Sequence, residues 1–544
     1  MKCRPAYCCI ILISGIAFSQ PPEAAPTLRV DPLLIAQATE VWGVIAQRDN
    51  PIWPGWNAAT TPLLFYLPGV QDVLINHPKP PVGFRRYEGP VSWPGASIYV
   101  RDGRTFFEYD GQNTVLEVEG VPTLVVADTL SNRRNQVQSW LIDPRPASVK
   151  NAELGWDQLQ GSPYDQITMI AHEAFHAYQR RQAPNKGGGE EALTRYPTIA
   201  VENTVGFALE GDALADALRA TTPADQRAHA LRWLAIRRER RNALSAEAVS
   251  YEDRMEFLEG LAKYVEFHLL EMLEGRTPRP AMAWAQGFSG YTNLKPQRDG
   301  LIRQMVKMMR GEANVNNDPY GASPLRMRLY YSGMGIAVIL DRLNPSWKER
   351  IFMPDTTLTG LATETLKPTE AELAAALAVA KSQSGYTELK AQKVKLERDG
   401  ETATRKLMEE IESGPHTTLT LDYSALADAR VGLAFTPFGI LRVDDTRTIY
   451  RLIPITAKVG STTFRQSRAL PLLHDRAAKR ITCQLQEPVT AAAVEKLFGV
   501  HIEKAEPVDL ASVALPGVTL DGGSAVVSLN NRKLLIRAVA STKP

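Results

Sequence analysis

Apolar residues recur at i, i+3 and i+4 through Leu33–Gln47, Tyr164–Gln182, Thr198–Ala220, Pro223–Ala246 and Glu252–Glu274. That spacing gives a helix one apolar face, so each stretch predicts a helix. Thr222 stands ahead of Pro223 as an N-cap candidate, and a first-turn Pro is tolerated there. Gly187–Gly189 marks a loop between the first two of the later helices. The apolar run Ile336–Leu343, ended by Pro345, predicts another helix, with Tyr330 and Tyr331 just before it. Thr369–Glu412, rich in Ala, Leu, Lys and Glu, predicts one long helix or a helical hairpin with a solvated charged face. Gly414-Pro415 closes it. A period of two marks strands at Leu63–Tyr66, Ser97–Val100, Thr114–Val118 and Thr123–Ala127. The same period returns at Thr418–Leu421, Gly439–Val443, Ile449–Pro454, Ala525–Leu529 and Leu534–Ala538, with Asn530-Asn531 as a tight hairpin turn between the last two.

The expected class is α+β. An N-terminal mixed α+β segment (33–150) precedes a mainly helical domain (151–365). A long helix or hairpin linker (366–414) then leads to a β-rich C-terminal domain (415–544). Residues 1–19 read as a cleavable signal peptide. Lys2 and Arg4 form the basic end, Ala6–Phe18 the apolar run, and Ala17-Phe18-Ser19 the small-residue site before Gln20. The expectation is a secreted or periplasmic protein with a flexible Pro- and Ala-rich leader over 20–32 and no stable membrane insertion.

Composition narrows the chemistry. With 62 Lys and Arg against 60 Asp and Glu, there is no electrostatic reason to expect nucleic acid as a partner. Cys3, Cys8 and Cys9 fall within the signal segment. Cys483 is then the one cysteine of the mature chain, and any metal site must use His and carboxylates.

Such a set stands at His172-Glu173-Ala174-Phe175-His176. Residues i and i+4 of a helix share a face, so His172 and His176 can converge on one ion, while Glu173 reaches a water on that ion as general base. A chance His-Glu-x-x-His in a chain with eight His is expected on the order of 0.01 times. One zinc per chain is the expected cofactor, held by three protein ligands with a position left for water. Gln179 and Gln182 stand where a metzincin has Gly and His, so the third ligand lies on a later helix.

Two segments compete for it. Glu259-Gly260-Leu261-Ala262-Lys263-Tyr264 resembles the E-G-x-A-x-Y segment in which aminopeptidase-like gluzincins present their third ligand. Glu210-Gly211-Asp212-Ala213 is the alternative, and Glu202 a further one. Small residues at Gly260 and Ala262 would let their helix approach the His172–His176 helix, and Asp212 or Asp216 would orient a ligand His. Tyr331 and Tyr330 are the candidates for holding a developing oxyanion, with Tyr264 and His268 as alternatives. His77, in a Pro-rich loop, reads as loop packing rather than a ligand.

The chain resembles a group of secreted bacterial gluzincin-like proteins over roughly residues 40–360. Four segments carry the resemblance: Ile52–Trp56 with His77–Pro81, the His172–His176 helix, the Glu259–Tyr264 segment, and Tyr331-Ser332-Gly333 with Leu340–Lys348. It implies a zincin-like catalytic domain and a zinc metallopeptidase hydrolysing peptides or proteins. Lys263 departs from the acidic residue frequent at that place, and a surface position is expected for it. A non-catalytic secreted binding or scaffold protein, and a non-peptidase zinc amide or ester hydrolase, are the alternative functions.

Overall fold

The computed structural model describes residues 26–103, 113–128, 162–313, 315, 318–426, 431–502 and 506–540. The signal peptide expected over residues 1–19, with Cys3, Cys8 and Cys9, lies outside these residues. No helix among them is long and apolar enough to cross a membrane. Helices and sheets both occur, with a helical middle and a strand-rich C-terminal region. The chain divides into two compact units, and α1 (Pro32–Ile45) carries it from one into the other between Ile35 and Ala36.

The first unit is built on a six-stranded sheet. Leu63–Leu67 pairs in parallel with Val121–Ala127, and every other pairing is antiparallel. Leu64, Tyr66, Leu74, Val125 and Ala127 form its core, with Phe84 and Tyr99 against them. The strand Gln71–Ile75 has no predicted counterpart because its first two residues are polar yet fully buried. The Gln71 side chain accepts from Arg29 N and donates to Thr27 O, and Asp72 pairs with Arg101, so buried polarity breaks the alternation. His77 is held at both ring nitrogens inside this unit, by Val118 O at 3.0 Å and Lys79 N at 3.2 Å, as expected of a loop-packing residue.

The second unit holds the helices and the strand-rich region. Its helices are α2 (Pro163–Gln182), α3 (Val201–Arg219), α4 (Pro223–Arg241), α5 (Ala246–Met255), α6 (Leu261–Leu273), α7 (Lys295–Arg310), α8 (Ala322–Leu343), α9 (Trp347–Arg350), α10 (Leu358–Leu366), α11 (Glu370–Ser382), α12 (Tyr386–Ser413) and α13 (Ala491–Phe498). Thr222, the predicted cap, accepts from Asp225 N ahead of Pro223, and Ser162 caps α2 in the same way, accepting from Tyr164 N ahead of Pro163. The predicted Glu252–Glu274 helix is instead α5, a π-helical turn at Glu256–Gly260, and α6. Helix α7 escapes a periodicity reading because only Ile302, Met305 and Met309 are buried along a polar sequence. Tyr330 and Tyr331 lie inside α8 rather than before a helix. The Thr369–Glu412 stretch is two helices, α11 and α12, which pack on different partners, α11 on α4 and α12 on α3.

Beyond α12 an eight-stranded and a five-stranded sheet follow. In the larger, Lys533–Val539 pairs in parallel with Thr418–Asp422. The last hairpin turns at Asn531 and Arg532, both at positive φ, one residue later than expected. Ile411 of α12 packs on Leu441, Ile449 and Leu473 of this sheet.

His474 is buried in that sheet, with its Nε2 2.9 Å from the Tyr423 hydroxyl. Burial, with Arg476 adding to it, pushes the imidazole down to about 4. The unfolded chain therefore binds a proton that the folded one does not between pH ~6.5 and ~4, so stability falls as pH drops through that window. Unfolding free energies from urea titrations at pH 7 and pH 4 are expected to fall by roughly 3 kcal/mol more in the parent than in His474→Gln. Parallel pH profiles for the two would contradict this assignment.

Candidate metal centre

Helix α2 carries the His-Glu-x-x-His segment on a face that two tryptophans press inward. Trp53 lies 5.0 Å from the Phe175 ring and Trp56 lies 5.1 Å from it, and both indoles are buried. Gly55, between them, has φ +75°, a conformation that favours glycine. Phe175 lies about 60° round the helix from His172 and about 100° from His176, so the two histidines occupy the neighbouring flank, toward the π-helical turn and α6. Their rings stand nearly perpendicular, with centroids 4.8 Å apart. Ligand atoms of His172, Glu173 and His176 lie within 4.8 Å of one another, so this group can hold a metal ion.

Glu259 completes the geometry. Its Oε2 is 3.3 Å from Nε2 of His172 and 3.3 Å from Nε2 of His176. Glu210 is elsewhere: it is fully buried between Arg237 (3.0 Å) and Arg240 (2.6 Å). Glu202 is exposed on the first turn of α3.

The π turn explains how Glu259 reaches the histidines. Leu261 N donates to Glu256 O, one residue further back than in an α-helix, which widens the turn around Glu259. The carbonyls of Phe257 and Leu258 accept from Gln179 Nε2 at 2.6 and 3.0 Å, and Gln179 Oε1 meets His176 Nδ1 at 2.8 Å. Glu266, two helical turns beyond Glu259, meets His172 Nδ1 at 2.7 Å. Both imidazoles are thus held at Nδ1 and present Nε2 toward Glu259, the arrangement metal-bound histidines need. The residues expected to do this do not: Asp212 pairs with Arg310, and Asp216 with Arg232.

Lys263, expected on the surface, is largely buried and pairs with Glu266 at 2.7 Å. The Tyr331 ring lies 5.2 Å from the Lys263 ammonium, so Tyr331 belongs to that cluster. Tyr330 stacks on His172 at 6.0 Å with planes 17° apart. Burial, then the Glu259 carboxylate, raises its hydroxyl well above the usual range. Tyr264 and His268 both turn to Asp341, at 2.5 and 3.0 Å, away from this constellation.

Electrostatics separate the two carboxylates. Although burial opposes it, hydrogen bonds from His172 and His176 and the charge of Arg326 hold Glu259 well below the ordinary carboxylate range. Glu173 is pushed the other way, raised chiefly by burial. Arg326, which no pattern in the sequence singles out, donates to Glu259 Oε1 at 2.7 Å and to Glu190 at 2.9 Å. Glu266 had a weak signal, since residues seven apart on a helix share a face.

No protein-family model matches the chain, and no curated protein or solved structure matches it.

The turn carrying Glu259 is fixed by backbone contact. A Cβ on Gly260 would stand 2.6 Å from Gly333 Cα, and one on Gly333 would stand 2.8 Å from Glu256 O. Gly260 therefore lets its helix approach α8, not α2 as the sequence suggested. Gly333→Ala is expected to cost about 1–3 kcal/mol or more, because backbone rather than a flexible side chain must give way. It should also weaken metal binding by displacing Glu259. A chelator titration matching the parent, with unchanged thermal stability, would contradict the contact.

Proposed function

We propose that this chain is a zinc metallopeptidase of the gluzincin type, with a zincin-like catalytic core, secreted or periplasmic, hydrolysing peptide bonds in peptides or proteins. The observation carrying the proposal is the convergence of His172 Nε2, His176 Nε2 and Glu259 Oε2, with each nitrogen 3.3 Å from that oxygen. Donors about 2.0–2.1 Å from a tetrahedral zinc are separated by about 3.3–3.4 Å, so the spacing suits the ion. Two imidazoles and one carboxylate are also a donor set of catalytic zinc sites, which keep a position for water.

When bound there, zinc lowers the pKa of a water toward about 7 and polarises the substrate carbonyl. The chain's own groups do the rest. Glu173 takes a proton from the attacking water and returns it to the leaving amine. Glu266 and Gln179 fix which imidazole nitrogens face the ion. Tyr330, stacked on His172, is the nearer of the two tyrosines to the developing oxyanion.

Elemental analysis is expected to find about one zinc per chain in both the parent and Glu173→Gln. A mixed peptide library should be cleaved by the parent, with turnover about 10²–10⁴-fold lower in the variant. Zinc without peptide cleavage would move the proposal to another amide or ester, or to a binding protein. No zinc, even after incubation with the metal, would end it.

His172→Ala and Glu259→Ala are expected to lose the metal. Glu210→Ala should keep it while destabilising the fold by about 3–5 kcal/mol, since it takes one carboxylate from a buried network and leaves Arg237 and Arg240 with Glu256 and Glu252 alone. Equal metal retention in Glu259→Ala and Glu210→Ala would refute the ligand assignment.

A further inference from the structure

The two oxygens of Glu259 have different neighbours. Oε2 faces the two imidazoles, while Oε1 accepts from Arg326 at 2.7 Å. We infer that Arg326 is a positioning residue that occupies Oε1 and so makes Glu259 a one-oxygen ligand; this rests on the metal-centre reading above.

Arg326 is anchored well enough to do so. It projects from α8, whose Gly333 is in backbone contact with the Glu259 turn. One guanidinium nitrogen is tied to Glu190 at 2.9 Å and to Met255 Sδ at 3.1 Å, while the other holds Glu259. The guanidinium carbon lies 5.9 Å from the Tyr330 ring and 5.9 Å from the Phe438 ring. The side chain is 9% exposed. A planar fork held at both prongs cannot turn to release one oxygen while keeping the other.

Phe438 comes from the strand-rich region. Two ties hold its neighbourhood to α8 and the segment before it: Gly439 N donates to Ser323 Oγ at 3.4 Å, and Arg451 pairs with the buried Asp318. That region therefore contributes to the ligand's setting through an aromatic wall on Arg326.

The chemical consequence concerns coordination number. Two imidazoles and a one-oxygen carboxylate leave room for water and for the substrate carbonyl. A two-oxygen carboxylate would supply a fourth protein donor and fill that room. Pairing with Arg326 also offsets part of the carboxylate charge, which leaves the ion a stronger Lewis acid.

The test uses the visible absorption of the full chain loaded with Co²⁺, whose band reports coordination geometry. The parent is expected to give the intense band of a four-coordinate site. Arg326→Met should give a weaker, five-coordinate band, because Oε1 becomes free to ligate. Arg326→Lys keeps a buried charge for folding but cannot hold Glu190 and Glu259 at once, and the same loss of intensity is expected of it. A merely structural role would lower the melting temperature and leave the band unchanged; an unchanged band in either variant that folds and binds Co²⁺ overturns the inference. Failure of the parent itself to bind Co²⁺ or Zn²⁺ overturns instead the metal-centre reading on which it rests.

Discussion

Two guanidinium groups, Arg237 and Arg240 of α4, are almost wholly shut off from water, and the helical middle of this protein is arranged around neutralising them. Glu210 from α3 bridges both. Glu252 from α5 takes Arg240, and Glu256, the first residue of the π turn, takes Arg237. Burying such ions costs several kcal/mol each unless every lone pair and proton finds a partner, so the network tolerates little displacement of any member. Its partners hold Glu252 far below the ordinary carboxylate range, with Arg240 and Arg241 outweighing the effect of burial. Ser332 of α8 adds a hydroxyl to Glu256. Four helical segments are thereby tied to the turn that presents Glu259.

This places the candidate metal ligand between two kinds of constraint. On one side ion pairs fix Glu256 and the start of its turn. On the other, the Gly260–Gly333 contact sets how near α8 can come. The histidines are constrained separately, by the Trp53 and Trp56 rings behind α2 and by Glu266 and Gln179 at their outer nitrogens. Convergence of the three donor atoms is thus a product of packing decided well away from them.

The sequence makes the local parts of this legible and the non-local parts obscure. Helical period, the cap at Thr222 and the His-Glu-x-x-His spacing are all written within a few residues of where they act. Choosing between Glu259 and Glu210 needed more, because both sit in Glu-Gly-x-Ala settings. What distinguishes them is the partner across the fold, arginines for one and imidazoles for the other. Lys263 looked like a solvated charge because its pairing with Glu266 three residues on is equally at home on an exposed helix face, while Tyr331, which covers it, lies far along the chain. Arg326 is the extreme case, a single basic residue in an ordinary helix whose neighbours come from three separate stretches of chain. The π turn was equally hidden, since a periodicity reading assumes 3.6 residues per turn throughout and absorbs one extra residue without notice.

That extra residue acts as a phase shifter. Glu259 lies inside the wide turn and Glu266 beyond it, yet both end on the side of His172. Each residue of an α-helix advances the face by about 100°, so the length of this turn sets the angular offset between α5 on one side of it and α6 on the other. Shortening it by one residue would leave a regular helix of equal stability in isolation, with the arginine-bound face and the histidine-bound face rotated out of step. Insertions and deletions are ordinarily the business of loops; here the interior of a buried helix carries a length that the meeting of Glu259 and Glu266 with His172 cannot spare.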